Sequence, residues 1–389
     1  MDITEFMSVI DELGGDFFTG VPDSLLAPFC DYLMETYGVG AGLSGTGAGL
    51  SGSSKHIVAA NEGAAVGLAA GHYLGTGKPS VVYMQNSGIG NAVNPICSLT
   101  KLYDVPVIYV IGWRGEPGVP DEPQHSFQGE VTLSLLDCLQ IPYVVIEEGS
   151  TVSAESVSTF KNMLKSGQSV AFVVKKNALK NDKKTNYPSH ISATMSREEI
   201  LSIILENAGP NDVFVCTTGK LAREVFEIRE RLKAGHNRDF LTVGSMGHSL
   251  MIAYGIAISG PEKVDSPKVY CLDGDGAAIM HMGSLAVVGA HKPGNLVHVV
   301  VNNGAHETVG GMPVVSCQLD LSKVALSLGY RHSFRTTTEG EVKEAATASM
   351  SLNGPIFIEA ICNLESRKDL GRPTTTPLEN KVALMDFLS

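Results

Sequence analysis

The sequence predicts an α/β protein of two domains, each a mainly parallel sheet with helices on both faces. Three observations carry this expectation. The chain has 389 residues, more than one ordinary hydrophobic core accommodates. Short runs rich in Val, Ile and Tyr recur along it, apolar at consecutive positions, as in strands buried on both faces. Helix-length stretches separate these runs, which is the alternation of a βαβ series.

In the first half the strands are expected at 17–22, 56–61, 80–86, 105–113, 143–148 and 170–175, with helices between them, for example at 62–74 and 153–166. The polar, lysine-rich stretch "KKNALKNDKKTNYPSHISATMSR" then breaks the pattern. It predicts a first domain over 1–178, a linker over 179–195 and a second domain over 196–389. Strands of the second series are expected at 212–218, 240–246, 268–275, 296–303 and 355–362. One segment, "GVGAGLSGTGAGLSGSSK" at 38–55, is low in complexity and carries AGLSG twice. It lacks both the lysine–serine/threonine ending of a phosphate loop and a strand before it, so a surface insertion is expected rather than a phosphate or dinucleotide cradle.

Composition excludes several classes. Hydrophobic residues make up 43% and charged residues 18%, as in a well-packed globular chain, and the net charge of −12 argues against a nucleic-acid partner. Cys30, Cys97, Cys138, Cys216, Cys271, Cys317 and Cys362 form no C-x-x-C pair, and are expected to be buried free thiols rather than a disulfide frame or zinc site. The acidic, amphipathic start "MDITEFMSVIDEL" does not resemble a signal peptide, and no apolar run reaches membrane-spanning length. A cytoplasmic protein without membrane contact is expected.

The chemistry concentrates in "LDGDGAAIM" (272–280) and "VVVNNGAHE" (299–307). In open α/β sheets ligands bind beyond the carboxyl ends of the strands. Gly274-Asp275-Gly276 lies at such an end, with a helix expected from Ala277. The N–H groups of Gly276, Ala277 and Ala278 would then form a phosphate seat. Asp275 would project a carboxylate into the same crevice, the usual way to hold Mg²⁺ beside a phosphate. Twenty-five residues separate Gly276 from Asn302, room for one helix and one strand. Asn303 would add an amide oxygen and Ala305 a main-chain carbonyl. A lone GDG is weak; GDG and NN at this spacing, each after a buried strand, are a compound signal.

That spacing resembles the signature of thiamine-diphosphate-dependent enzymes. "TGVPDSLL", "MQNSGIGNAVNP", "DEPQHSFQG", "NNGAHETVGG" and "RKDLGRPTTTP" narrow the resemblance to the 2-oxo acid decarboxylases, and among them to the phosphonopyruvate decarboxylase family. It spans nearly the whole chain and departs at 38–55. It implies thiamine diphosphate and Mg²⁺ as cofactors, with a first domain of pyrimidine-binding type and a second of diphosphate- and metal-binding type. Further, it implies Glu62, in "NEGAAVGLAAG", as the cofactor-activating acid. At the start of an alanine- and glycine-rich helix this carboxylate is expected to be largely buried. Met246, in "VGSMGHSLMIAYGIA", would be the apolar wedge under the cofactor and Gly244 a carbonyl acceptor, while Thr218 and Gly219 would line the diphosphate.

The implied substrate is a small anionic 2-oxo acid, 3-phosphonopyruvate, decarboxylated without oxidation to phosphonoacetaldehyde and CO₂; the sulfonate analogue is left open. Ser24, His125 and His306 are the catalytic candidates beside Glu62, with Gln85, Asn86 and Ser87 near the substrate. His125 falls in a polar loop flanked by prolines. Arg114, Arg367, Lys368 and Arg372 are candidates for the phosphonate. The family's shared site implies a homodimer or higher even homo-oligomer with active sites at subunit interfaces.

Overall fold

Consecutive apolar residues fold into two all-parallel six-stranded sheets. The computed structural model describes residues 1–38, 55–183, 187, 191–259 and 267–389, so the repeats at 41–52 and parts of the 179–195 stretch lie outside the described residues. The chain divides into two compact units, Met1–Tyr187 and Pro188–Ser389.

In the first unit the strands are β1 (Phe18–Gly20), β2 (His56–Val58), β3 (Ser80–Gln85), β4 (Val107–Gly112), β5 (Tyr143–Ile146) and β6 (Val170–Val174). Their order is β2-β1-β3-β4-β6-β5. Strand β4 is buried at every position, as its uninterrupted apolar run requires. One face packs Val82, Tyr109 and Ile111 against Ala65, Ala69 and Leu136 of the helices. On the other, Phe6 meets Phe29 and Phe172 edge to face, at ring separations of 5.9 and 5.2 Å.

The second unit has β7 (Val213–Cys216), β8 (Asp239–Leu241), β9 (Val269–Gly274), β10 (Leu296–Asn302), β11 (Ala305–His306), β12 (Met312–Pro313), β13 (His332–Thr336) and β14 (Ile356–Ile361). Its large sheet runs β13-β14-β10-β9-β7-β8, and β11 and β12 form a separate antiparallel pair. Along β10, Val297, Val299 and Val301 enter one apolar layer while Leu296 and Val300 enter the other. Helices therefore cover both faces.

Several expectations are corrected. The strands stop one or more residues short of the expected carboxyl ends, because those residues turn out of the sheet. The 240–246 strand is only Asp239–Leu241. Beyond it Ser245 and Gly247 take positive φ, 53° and 85°, which no strand holds. Strand β13 was not expected, since "HSFRT" is a polar edge strand without an apolar run. His125 lies in the first turn of the helix Pro123–Cys138, not in a loop, with Pro123 at the first helical position where its missing N–H costs nothing. The helix after β9 begins at Asp275 rather than Ala277. Cys97 and Cys138 are exposed, although the other thiols are buried or partly so and all seven are free.

Candidate active site

Both sheets reverse strand order next to the motifs. In the second unit the reversal falls between β7 and β9, and the turns after β7, β9 and β10 sit side by side. Such a switch point is where open α/β sheets bind ligands.

Asp275 opens the helix Asp275–Met280 directly after β9 and is 4% exposed. Ser316 Oγ donates to its Oδ2, and main-chain N–H groups of Gly276 and Gly304 donate to the carboxylate. Burial pushes this carboxyl up to about 6 despite these donors. Its partners are a hydroxyl and amides, with no basic side chain among them. A buried carboxylate so placed is matched to a divalent cation, which would supply the missing charge. Because the helix begins at Asp275, the N–H of Ala278 closes the first helical turn, whereas those of Gly276 and Ala277 have no intrahelical acceptor.

The Gly304 contact joins the GDG turn to the turn after β10. There Asn303 is buried, its Oδ1 accepts from Ala305 N (3.0 Å), and its Nδ2 faces Glu307 Oε2 (3.4 Å). Gly304 holds φ 69°, and a Cβ there would meet Ile191 at 2.9 Å, so the tight turn is tied to glycine. Asp275, Asn303 and Ala305 are thus brought together. Met246 and His306 join them: a Cβ on Gly276 would touch the His306 ring at 3.4 Å and Met246 Cε at 3.7 Å. Enclosure pushes the His306 imidazole down to about 4, so it is neutral near pH 7. Thr218 Oγ1 donates to Val243 O (2.7 Å), which ties the end of β7 to the loop carrying Gly244 and Met246. Gly219, at φ 102°, precedes the helix Lys220–Arg231.

Sequence reasoning missed the support behind Asn303. Arg197 pairs with both oxygens of buried Glu224 (2.6 and 2.7 Å) and with Glu307 (2.5 Å), and Lys220 reaches Glu307 as well (2.8 Å). Burial pushes the Glu307 carboxyl up, but these cations hold it below its usual range on balance. Scattered charges in helical stretches carry no local signal of such a cluster, and neither does Ser316.

In the first unit Glu62 opens the helix Glu62–Thr76, capped by Asn61, whose side chain accepts from Ala64 N (2.8 Å). The carboxylate is 5% exposed, as its context predicts. Asn91 Nδ2 donates to Glu62 Oε2 (2.8 Å), and Gly88 lies so close that a Cβ would stand 2.5 Å from Oε1. Asn86 is fully buried: its Nδ2 donates to Arg114 O and Thr132 Oγ1 (both 2.8 Å), so it ties β3 to the turn after β4 rather than facing a ligand. Gln85 donates to Ser87 Oγ (2.5 Å).

Ser24 is exposed after β1 and accepts from Arg114 NH1 (3.1 Å). His125 packs against the same turn, since a Cβ on Gly115 would collide with His125 O. Burial, and then the Arg114 charge, hold the His125 imidazole below its ordinary value. Of the second unit's basic candidates, Arg367 is engaged by Glu198 (2.7 Å) and Glu227, so it is not the open cation expected.

The second unit holds a buried carboxylate, an amide and a glycine-preceded helix start, and the first a shielded glutamate, groups suited to a diphosphate cofactor. Comparison with known proteins agrees. Residues 4–136 match the N-terminal TPP binding domain of thiamine pyrophosphate enzymes, and residues 217–360 match their C-terminal TPP binding domain. The chain is 30% identical to phosphonopyruvate decarboxylase of Streptomyces viridochromogenes over 94% of its own length and 90% of that protein's. It is 29% identical to phosphonopyruvate decarboxylase of Streptomyces hygroscopicus, over 97% and 91%. Sulfopyruvate decarboxylase of Methanosarcina acetivorans is 23% identical over 76% of this chain and 79% of its own. The chain belongs to the thiamine pyrophosphate enzyme family. Within it, the chain is a carboxy-lyase of the phosphonopyruvate decarboxylase family, a thiamine-diphosphate-dependent decarboxylase.

Proposed function

We propose that the chain decarboxylates 3-phosphonopyruvate to phosphonoacetaldehyde and CO₂, in the cytoplasm, with thiamine diphosphate and Mg²⁺. The observation that carries this reading is the buried Asp275 carboxylate, joined through Gly304 to the Asn303 turn and with no basic partner among the described residues. Asp275, Asn303 and the carbonyl of Ala305 would hold Mg²⁺. The N–H groups of Gly276 and Ala277, with Thr218 and Gly219, would hold the diphosphate, and Gly244 and Met246 the rings. Residues 1–178 form the pyrimidine-side domain in this reading, and 196–389 the metal-side domain.

Bound, the cofactor supplies a carbon nucleophile and the electron sink for loss of CO₂. Glu62 would hold a proton toward the pyrimidine of the bound cofactor, and Asn91 and the bare Gly88 keep its carboxylate in one orientation. Ser24 contacts the substrate. His125 and His306 are each neutral near pH 7, so either would be able to take a proton from solvent and pass it to the carbon that loses CO₂.

The working unit is a homodimer or higher even homo-oligomer. Gly67, Gly71 and Gly75 leave open space on the helix that Glu62 begins, beside exposed Leu68 and Leu74. Each helical glycine costs about 1 kcal/mol relative to alanine. A stripe of them on an exposed face suits close approach of a second copy.

The test is release of CO₂ and aldehyde from phosphonopyruvate and from sulfopyruvate. Faster turnover of the phosphonate is expected. Faster turnover of sulfopyruvate would give the reaction to the sulfonate, the acid in the name of the Methanosarcina acetivorans relative. Both domains on one chain do not decide between the acids, because that relative also carries them together.

A further inference from the structure

We infer that Arg114, Ser24 and Lys176 form an anion subsite in the first unit that takes the phosphonate end of the substrate. The inference rests on the decarboxylase reading above and assigns one part of it. A cavity of about 360 Å³ opens at the carboxyl edge of the first sheet, and these three residues line it. Arg114 extends from the turn after β4. Its Nε and NH2 grip the two oxygens of Asp121 (2.8 and 2.5 Å), and its NH1 donates to Ser24 Oγ (3.1 Å). A guanidinium carries five N–H donors. These three bonds leave further donors on NH1 and NH2.

Asp121 fixes the fork without spending its own charge on the cavity. It also accepts from Gly115 N (2.9 Å) and Glu122 N (2.8 Å), so its oxygens are saturated by inward partners. The Arg114 hydrogen bonds, foremost, hold its carboxyl far below the usual range. Glu116, the other acid on the rim, is paired with Lys175 (2.7 Å). Lys176 is exposed on the same rim and has no carboxylate partner among the described residues. Each lining acid therefore has a cationic partner, Lys175 being shared between Glu116 and Glu147 (2.7 and 2.6 Å), and Lys176 is the lining cation with no carboxylate on it among the described residues. A planar fork held rigid by a carboxylate, a neighbouring hydroxyl and an unmatched ammonium suit a tetrahedral dianion better than a monoanion.

The test is calorimetric binding of 3-phosphonopropionate and of succinate to the full chain, wild type and variants. Neither ligand has a keto group, so neither depends on turnover. Arg114→Gln is expected to weaken 3-phosphonopropionate about 30-fold, and succinate much less. Exposed Lys176→Gln, which leaves the Asp121 clamp intact, is expected to weaken the phosphonate about fivefold. Unchanged phosphonate affinity in both variants overturns the subsite. So does an equal loss for both ligands, because Arg114 would then grip the carboxylate they share. Failure of the decarboxylase reading shows separately, as wild type that binds the phosphonate but releases CO₂ from neither 2-oxo acid.

Discussion

Gly88 is the residue against which the Glu62 carboxylate rests. Its backbone lies at φ −70°, ψ −18°, which alanine adopts freely, so Gly88→Ala adds one methyl and nothing else. That methyl would overlap Glu62 Oε1, Cδ and Cγ. Turnover is expected to fall about a hundredfold with the folded state retained, because an ångström of misplacement costs that much. Glu62→Gln, which keeps shape and removes the exchangeable charge, is expected to fall about a thousandfold in kcat while cofactor still binds. Steady-state rates alongside circular dichroism check both. His56 offers a pH test. Its Nε2 meets Tyr83 OH (2.9 Å), and burial pushes its imidazole down to about 4 from an ordinary 6.5. As pH falls the unfolded chain takes up this proton first. The histidine's stabilising share is therefore complete above 6.5 and is lost as pH falls toward 4. Asp23, pushed up to about 6 by burial, acts in the opposite sense, so the share is read as a difference between variants. Urea midpoints of His56→Gln should fall less than wild type between pH 7 and 4.5; equal slopes would contradict this assignment.

The elements that place the site are held by short-range devices and one long-range cluster. Ser196 and Glu199 form a reciprocal capping box on the helix Arg197–Asn207. The first residue of that helix then reaches Glu224 on the next helix and Glu307 after β11. Removing Glu224 leaves a buried guanidinium half-paired, at a cost of about 3–5 kcal/mol. Glu224→Ala should therefore shift the urea midpoint of the full chain strongly and loosen the Asn303 turn, whereas Ser196→Ala should cost about 1 kcal/mol. The same contrast explains what was legible in the sequence. Strands buried on both faces announce themselves as apolar runs, so eleven of the strands in the two large sheets were expected near their places. Polar β13 gave no such run. His125 reads as part of a loop because the first turn of the helix beginning at Pro123 is polar and borders a proline. Asp275 and Asn303 are legible as candidates because chain order puts each at a strand end, and Glu62 through the resemblance its motif carries. Ser316, Gly88 and the Arg197 cluster become neighbours of the site only through tertiary folding, which no local pattern records.

At the scale of the whole molecule, the exposed glycine stripe of the Glu62 helix ties activity to assembly in the proposed reading. Leu68→Glu adds a charge there without touching the unit's core, since Leu68 is 36% exposed. Sedimentation should show a smaller species with turnover lost, and an active monomer would contradict the shared-site arrangement. Among the described residues no helix is long and apolar enough to cross a membrane. The most direct measurement of the central claim is calorimetric uptake of thiamine diphosphate with Mg²⁺ by Asp275→Asn and Asn303→Ala beside wild type. Loss of the buried carboxylate or of the amide is expected to weaken uptake about a hundredfold, since each removes a ligand from the cation that anchors the diphosphate. Wild-type affinity in both folded variants would show that the turns after β9 and β10 do not hold that cation.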